Sequence, residues 1–139
     1  MKVLFDTNII LDVLLDRKPF SDHASLLMSK VERAEINGCL CATTITTIHY
    51  LLSKHIDKEK AITSINSIMA LFEVASVNRI VIENSLKLKF SDFEDSVLHE
   101  SARHAGVEYI ITRNIKDFKN TKIPAFTPRE FLSILETLG

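Results

Sequence analysis

Short apolar runs recur along this chain, separated by stretches whose apolar residues return every three or four positions. The runs fall at residues 2 to 5, 39 to 42, 72 to 76, 109 to 111 and 124 to 126, each the length of a buried strand. The intervening stretches are long enough for helices, so successive strands connect through crossovers rather than tight hairpins. Such crossovers join parallel neighbours and place helices on both faces of a sheet. The expected fold is therefore α/β and three-layered, with a mostly parallel central sheet of about five strands. Only three glycines and three prolines interrupt the chain, without a repeat or low-complexity linker, so residues 1 to 139 read as one domain.

Helices are predicted over 8 to 15, 21 to 36, 44 to 55, 58 to 71, 78 to 88, 92 to 105 and 128 to 137. Ser21 or Asp22 can cap the second helix, and Gly38 is placed as its closing residue. Asp57 caps the fourth helix and Ser91 or Asp92 the sixth. Gly106 ends the sixth, and Thr127-Pro128 opens the last with a cap followed by proline at the first helical position.

No apolar run approaches the roughly 18 residues of a membrane span, and the start, Met1-Lys2-Val3-Leu4-Phe5-Asp6, turns acidic too soon for a secretory signal. A cytoplasmic setting without membrane attachment is the expectation. Cys39 and Cys41 alternate to one face of a strand and lack the further ligands of a structural zinc site, which makes them buried thiols. A net charge of −1 argues against a generally basic polyanion binder. Lysines and arginines nevertheless gather at Arg17-Lys18, Lys54 to Lys60, Lys87-Lys89 and Lys116 to Lys122, and a groove needs only a local positive rim to hold phosphates.

Ligands of parallel α/β sheets bind beyond the carboxyl ends of the strands. Asp6 follows the first strand, Thr112 to Asp117 follow the fourth, and the start of the sixth helix can reach the same edge. Asp6, Asp95 and Asp117, if brought within a few ångströms, repel one another unless a shared proton or a cation intervenes. The simplest relief is a divalent metal.

Asp6-Thr7-Asn8 with Asp12, the helix start Asp92-Phe93-Glu94-Asp95, and Thr112-Arg113-Asn114 followed by Asp117-Phe118 together resemble the PIN domain family. The resemblance spans nearly the whole chain and implies a Rossmann-like fold with Mg²⁺- or Mn²⁺-dependent nuclease activity. It makes Asp6, Asp95 and Asp117 the catalytic metal ligands, with Asn8, Asp92, Thr112 and Asn114 in supporting roles. Many small members are similar to VapC, the toxin of a toxin–antitoxin pair. An RNA substrate, an antitoxin partner and a homodimer are thus further implications. Asp12, six residues beyond Asp6, is expected to be structural, and Glu94 to favour the helix dipole without touching metal. Many active members carry a glutamate early in the third helix. Here Thr43 to Leu52 contains no acid, and His49 is the candidate replacement.

Two other readings compete with the nuclease. A PIN-like module that has lost catalysis would keep the acidic pocket for binding nucleic acid or protein. A receiver-type signalling domain needs an acidic pair after the first strand and an aspartate after the third, and Val74 to Val77 supplies none. His99 lies four residues after Asp95, where it can face the same cleft, whereas His23, His55 and His104 have no matching carboxylate, and all four read as ordinary residues. No nucleophile elbow or glycine-rich phosphate loop is present.

Overall fold

The computed structural model describes residues 1–119 and 121–138. Five strands, β1 (Lys2–Phe5), β2 (Asn37–Cys41), β3 (Glu73–Ala75), β4 (Tyr109–Ile111) and β5 (Ala125–Phe126), form one sheet in the order β3-β2-β1-β4-β5. Every pairing is parallel. Seven α-helices are seen among the described residues: α1 (Thr7–Leu14), α2 (Ser21–Glu32), α3 (Ala42–His55), α4 (Lys58–Leu71), α5 (Arg79–Leu86), α6 (Phe93–His104) and α7 (Pro128–Leu138). A 3₁₀ turn spans Ile115–Phe118. None of the helices is long and apolar enough to cross a membrane.

Alternation along each strand divides the core into two layers. Val3, Phe5, Leu40 and Ile111 point to one face, where α1, α2, α3, α4 and α7 contribute Ile9, Leu27, Ile48, Ile68 and Phe131. Leu4, Cys39, Cys41 and Ile110 point to the other, against Val81 of α5 and Val97, Leu98 and Ala102 of α6. The two cysteines are buried free thiols on that common face.

Most predicted caps are present. Asp57 accepts from the Lys60 amide at 2.7 Å, Asp92 from the Glu94 amide at 2.8 Å, and Thr127 and Glu130 cap one another reciprocally. Gly106 takes φ +75° just past α6. Gly38 does not close α2. That helix stops at Glu32, with Ala34 at φ +58°, and Gly38 lies within β2. Its role is steric, because a Cβ there would stand 2.6 Å from the Phe72 ring and 2.9 Å from Val31.

Strand order reverses direction at β1, whose neighbours β2 and β4 lead to opposite halves of the sheet. The crevice beyond the carboxyl ends of β1 and β4 is therefore the topological switch point, where connections leave space for a ligand.

Candidate active site

Asp6 is the first residue beyond β1. Its amide donates to the Ile111 carbonyl at 2.9 Å, locking the end of β1 to β4, while its extended backbone makes it the N-cap of α1. Both carboxylate oxygens are held: Oδ1 accepts from the Thr7 amide at 2.8 Å, and Oδ2 from the Thr112 hydroxyl at 2.8 Å. Thr112, fully buried just after β4, also accepts from the Asn114 amide at 3.0 Å. One threonine thus fixes the carboxylate of one segment and the turn of another. Burial raises the pKa of Asp6, and the hydrogen bonds from Thr112 and Thr7 oppose that rise.

A hollow of about 210 Å³ opens above this pair, and its wall contains five carboxylates: Asp6, Asp92, Glu94, Asp95 and Asp117. Asn8 and Asn114 also line it, whereas among the described residues no lysine, arginine or histidine does. Asp92, Glu94 and Asp95 come from the cap and first turn of α6, where negative charge suits the helix dipole. Asp117 comes from the 3₁₀ turn after β4. The concentration of like charge is visible in Asp95, whose pKa is raised from 3.8 to about 7, first by burial and then by Asp6, Asp92, Asp117 and Glu94.

The donor set suits a hard divalent cation. It is all oxygen, it is uncompensated by any cationic side chain in the wall, and Asp6 is already oriented by a buried hydroxyl. Among the described residues no group of three Cys, His, Asp or Glu side chains is placed to hold a metal ion. Mg²⁺ in particular needs only one or two carboxylates, with water and phosphate completing its shell.

The remaining expectations divide. Asp92 both caps α6 and lines the hollow. His49 is not in the wall. α3 presents Thr43, Thr47 and Leu51 there, spaced by four, and a residue two positions from Thr47 lies about 200° around the helix. His99 is buried elsewhere, with Nδ1 2.9 Å from Glu100 and its ring against Phe90, and burial lowers its pKa. Asp12 is fully buried outside the hollow, with Arg17 Nε at 2.8 Å and Arg113 Nε at 2.9 Å.

Two features of the site lie outside the sequence-based expectations. Glu94, expected to serve only the helix dipole, faces the hollow and accepts a long 3.4 Å hydrogen bond from Thr47 on α3. The Thr7 and Thr44 hydroxyls meet at 2.9 Å and tie α1 to the start of α3. Nothing in the sequence marked Thr43, Thr47 and Leu51 as the inward face of α3, since every face of a helix repeats at four.

Comparison with known proteins agrees with this fold. The PIN domain family matches residues 2–116. Ribonuclease VapC1 of Aquifex aeolicus (strain VF5) is 28% identical over 142 residues, covering 99% of this chain and 97% of that protein. FitAcB from Neisseria gonorrhoeae superposes with a TM-score of 0.71 at 17% identity, over 91% of this chain and 98% of its own. A toxin–antitoxin complex from Klebsiella pneumoniae gives 0.66 at 23% identity, over 91% and 97%.

Proposed function

The chain belongs to the PIN domain family, and from that premise we propose that it is a single-domain, metal-dependent endoribonuclease acting in the cytoplasm as the toxin of a toxin–antitoxin pair. The observation that carries the reading is the convergence of Asp6, Asp95 and Asp117, from three distant segments, on one hollow at the switch point of the sheet whose described wall has no basic side chain. The similarity to a ribonuclease over nearly both chain lengths supports the substrate class, and the Klebsiella complex supports an antitoxin partner.

Asp6, Asp95 and Asp117 would hold Mg²⁺ or Mn²⁺, with Asn8, Asp92, Thr112 and Asn114 supporting them. A cation held there supplies Lewis acidity toward a phosphoryl oxygen and lowers the pKa of water. The chain's own residues do the rest. Thr112 and the Thr7 amide fix the Asp6 carboxylate, so no reorganisation is needed when a ligand arrives. Without a cation, burial and the neighbouring carboxylates hold the Asp95 pKa at about 7, and a bound cation would favour its charged form. Lys89, Lys116 and Lys119 line a second hollow of about 460 Å³ that shares Asp117 with the acidic one. Their charges suit the phosphates that flank a scissile bond.

The test is cleavage of structured and single-stranded RNA with and without Mn²⁺, beside Asp6→Asn. Metal-dependent cleavage that the substitution removes supports the nuclease. Folded protein that neither cuts varied RNAs nor binds Mn²⁺ would leave a binding module instead.

A further inference from the structure

A third hollow, of about 370 Å³, is bounded by Arg113, the residue between Thr112 and Asn114 after β4. Its wall is formed by Pro19 and Phe20 before α2, His23 within it, Arg113 after β4, and Pro128 and Arg129 at the start of α7. It is within the size range of small-ligand sites. We propose that this hollow receives an unpaired nucleotide of a single-stranded RNA whose scissile phosphate lies over the acidic residues. This rests on the nuclease reading and assigns the strand a path.

Arg113 sits between Thr112, which holds Asp6, and Asn114, which lines the acidic hollow, and its charge acts on Asp6. Arg17, its neighbour across Asp12, donates to the carbonyl of Asn8, another lining residue. A strand leaving the acidic hollow over this ridge therefore meets the third hollow directly.

The Arg113 guanidinium lies over the Phe20 ring at 4.0 Å, and Phe20 remains 41% exposed. This gives a flat, rigid, positively charged platform of the kind on which unstacked bases lie. Asp12 holds Arg113 in place through Nε at 2.9 Å and a hydrogen bond from Nη2 at 3.2 Å. One buried carboxylate between Arg113 and Arg17 leaves a net positive charge on the trio. Arg129 adds an exposed guanidinium at the rim. Both charge and shape are thus complementary to a base with its phosphate, and a duplex cannot offer an unstacked base.

Binding of a fluorescein-labelled riboadenosine octamer, followed by anisotropy against salt with Ca²⁺ replacing Mn²⁺, tests the proposal in wild type, Phe20→Ala and Arg129→Ala. Phe20→Ala should weaken binding about tenfold without changing the salt slope, as loss of one stacking platform requires. Arg129→Ala should weaken it and reduce the slope of log K against log salt by about 0.7, the signature of one single-strand phosphate contact. Annealing the octamer to its complement should abolish the Phe20 effect. Wild-type protein without affinity for the octamer, or variants matching wild type in affinity and slope, overturn the proposal and leave the hollow to a peptide partner. Hydrolysis of bis(p-nitrophenyl) phosphate with Mn²⁺, a diester too small to need the hollow, separates the two failures. Its persistence in all three proteins keeps the nuclease, and its absence from wild type removes the nuclease reading itself.

Discussion

Asp95→Asn should make the protein more stable above neutral pH while removing its proposed activity. Asp95 shares a hollow with four other carboxylates, and burial followed by their repulsion holds its pKa near 7 instead of 3.8. As pH rises from about 4 to 7, the unfolded chain releases this proton while the folded chain keeps it, so folding becomes progressively less favourable. About three pH units at ~1.36 kcal/mol each set an upper bound of ~4 kcal/mol. Asp95 is only half-buried, and solvent screening reduces the effect to ~1–2 kcal/mol. Asparagine keeps the shape and lacks the charge. Urea unfolding in EDTA at pH 8 should therefore find the variant more stable by ~1–2 kcal/mol, with the difference vanishing near pH 4. Saturating Mn²⁺ should reverse the order, since ligand binding stabilises the folded state that binds it best. A variant that matches or falls below wild type at pH 8 in EDTA would refute the claim that these carboxylates repel one another across the hollow.

Thr112→Val should cost about 1–3 kcal/mol in denaturant unfolding, because it strips a buried hydroxyl from Asp6 and from the Asn114 amide together. Gly38→Ala should cost about 1–3 kcal/mol by overpacking against Phe72, read as a lower thermal midpoint, and a neutral result would mean the ring moves aside freely. His49→Ala should leave Mn²⁺ affinity and RNA cleavage within twofold of wild type, as expected of a residue outside the hollow. A hundredfold loss in either would restore it as the stand-in for the acid missing from α3.

Most of the architecture was legible because strand and helix periods differ along this chain. β1 and α4 have the bounds that periodicity predicts, and Asp57, Asp92 and Thr127 cap where their side chains can reach an amide. The misplacement of Gly38 has a simple origin. A glycine after a helical stretch has the local signature of a helix stop, while its actual constraint, the ring of Phe72, lies far along the chain in the strand-entry segment of β3. At the site, Asp6, Asp95 and Asp117 could be picked out because strand ends and helix starts share one edge of a parallel sheet. Which side of α3 faces that edge was not legible. It depends on how the helix is rolled by packing of Ile48 and Leu52 into the core, which turned Thr47 inward and His49 away. The Arg17–Asp12–Arg113 cluster was likewise hidden, since its members meet only after β4 is laid beside β1.

The most direct test of the account is calorimetric titration of Mn²⁺ at pH 8 into wild type and into Asp6→Asn, Asp95→Asn and Asp117→Asn, each verified as folded. The account predicts saturable binding to wild type and at least tenfold weaker binding to every variant. Wild-type protein that takes up no Mn²⁺, or variants that bind it as wild type does, would contradict a shared cation site among these three aspartates.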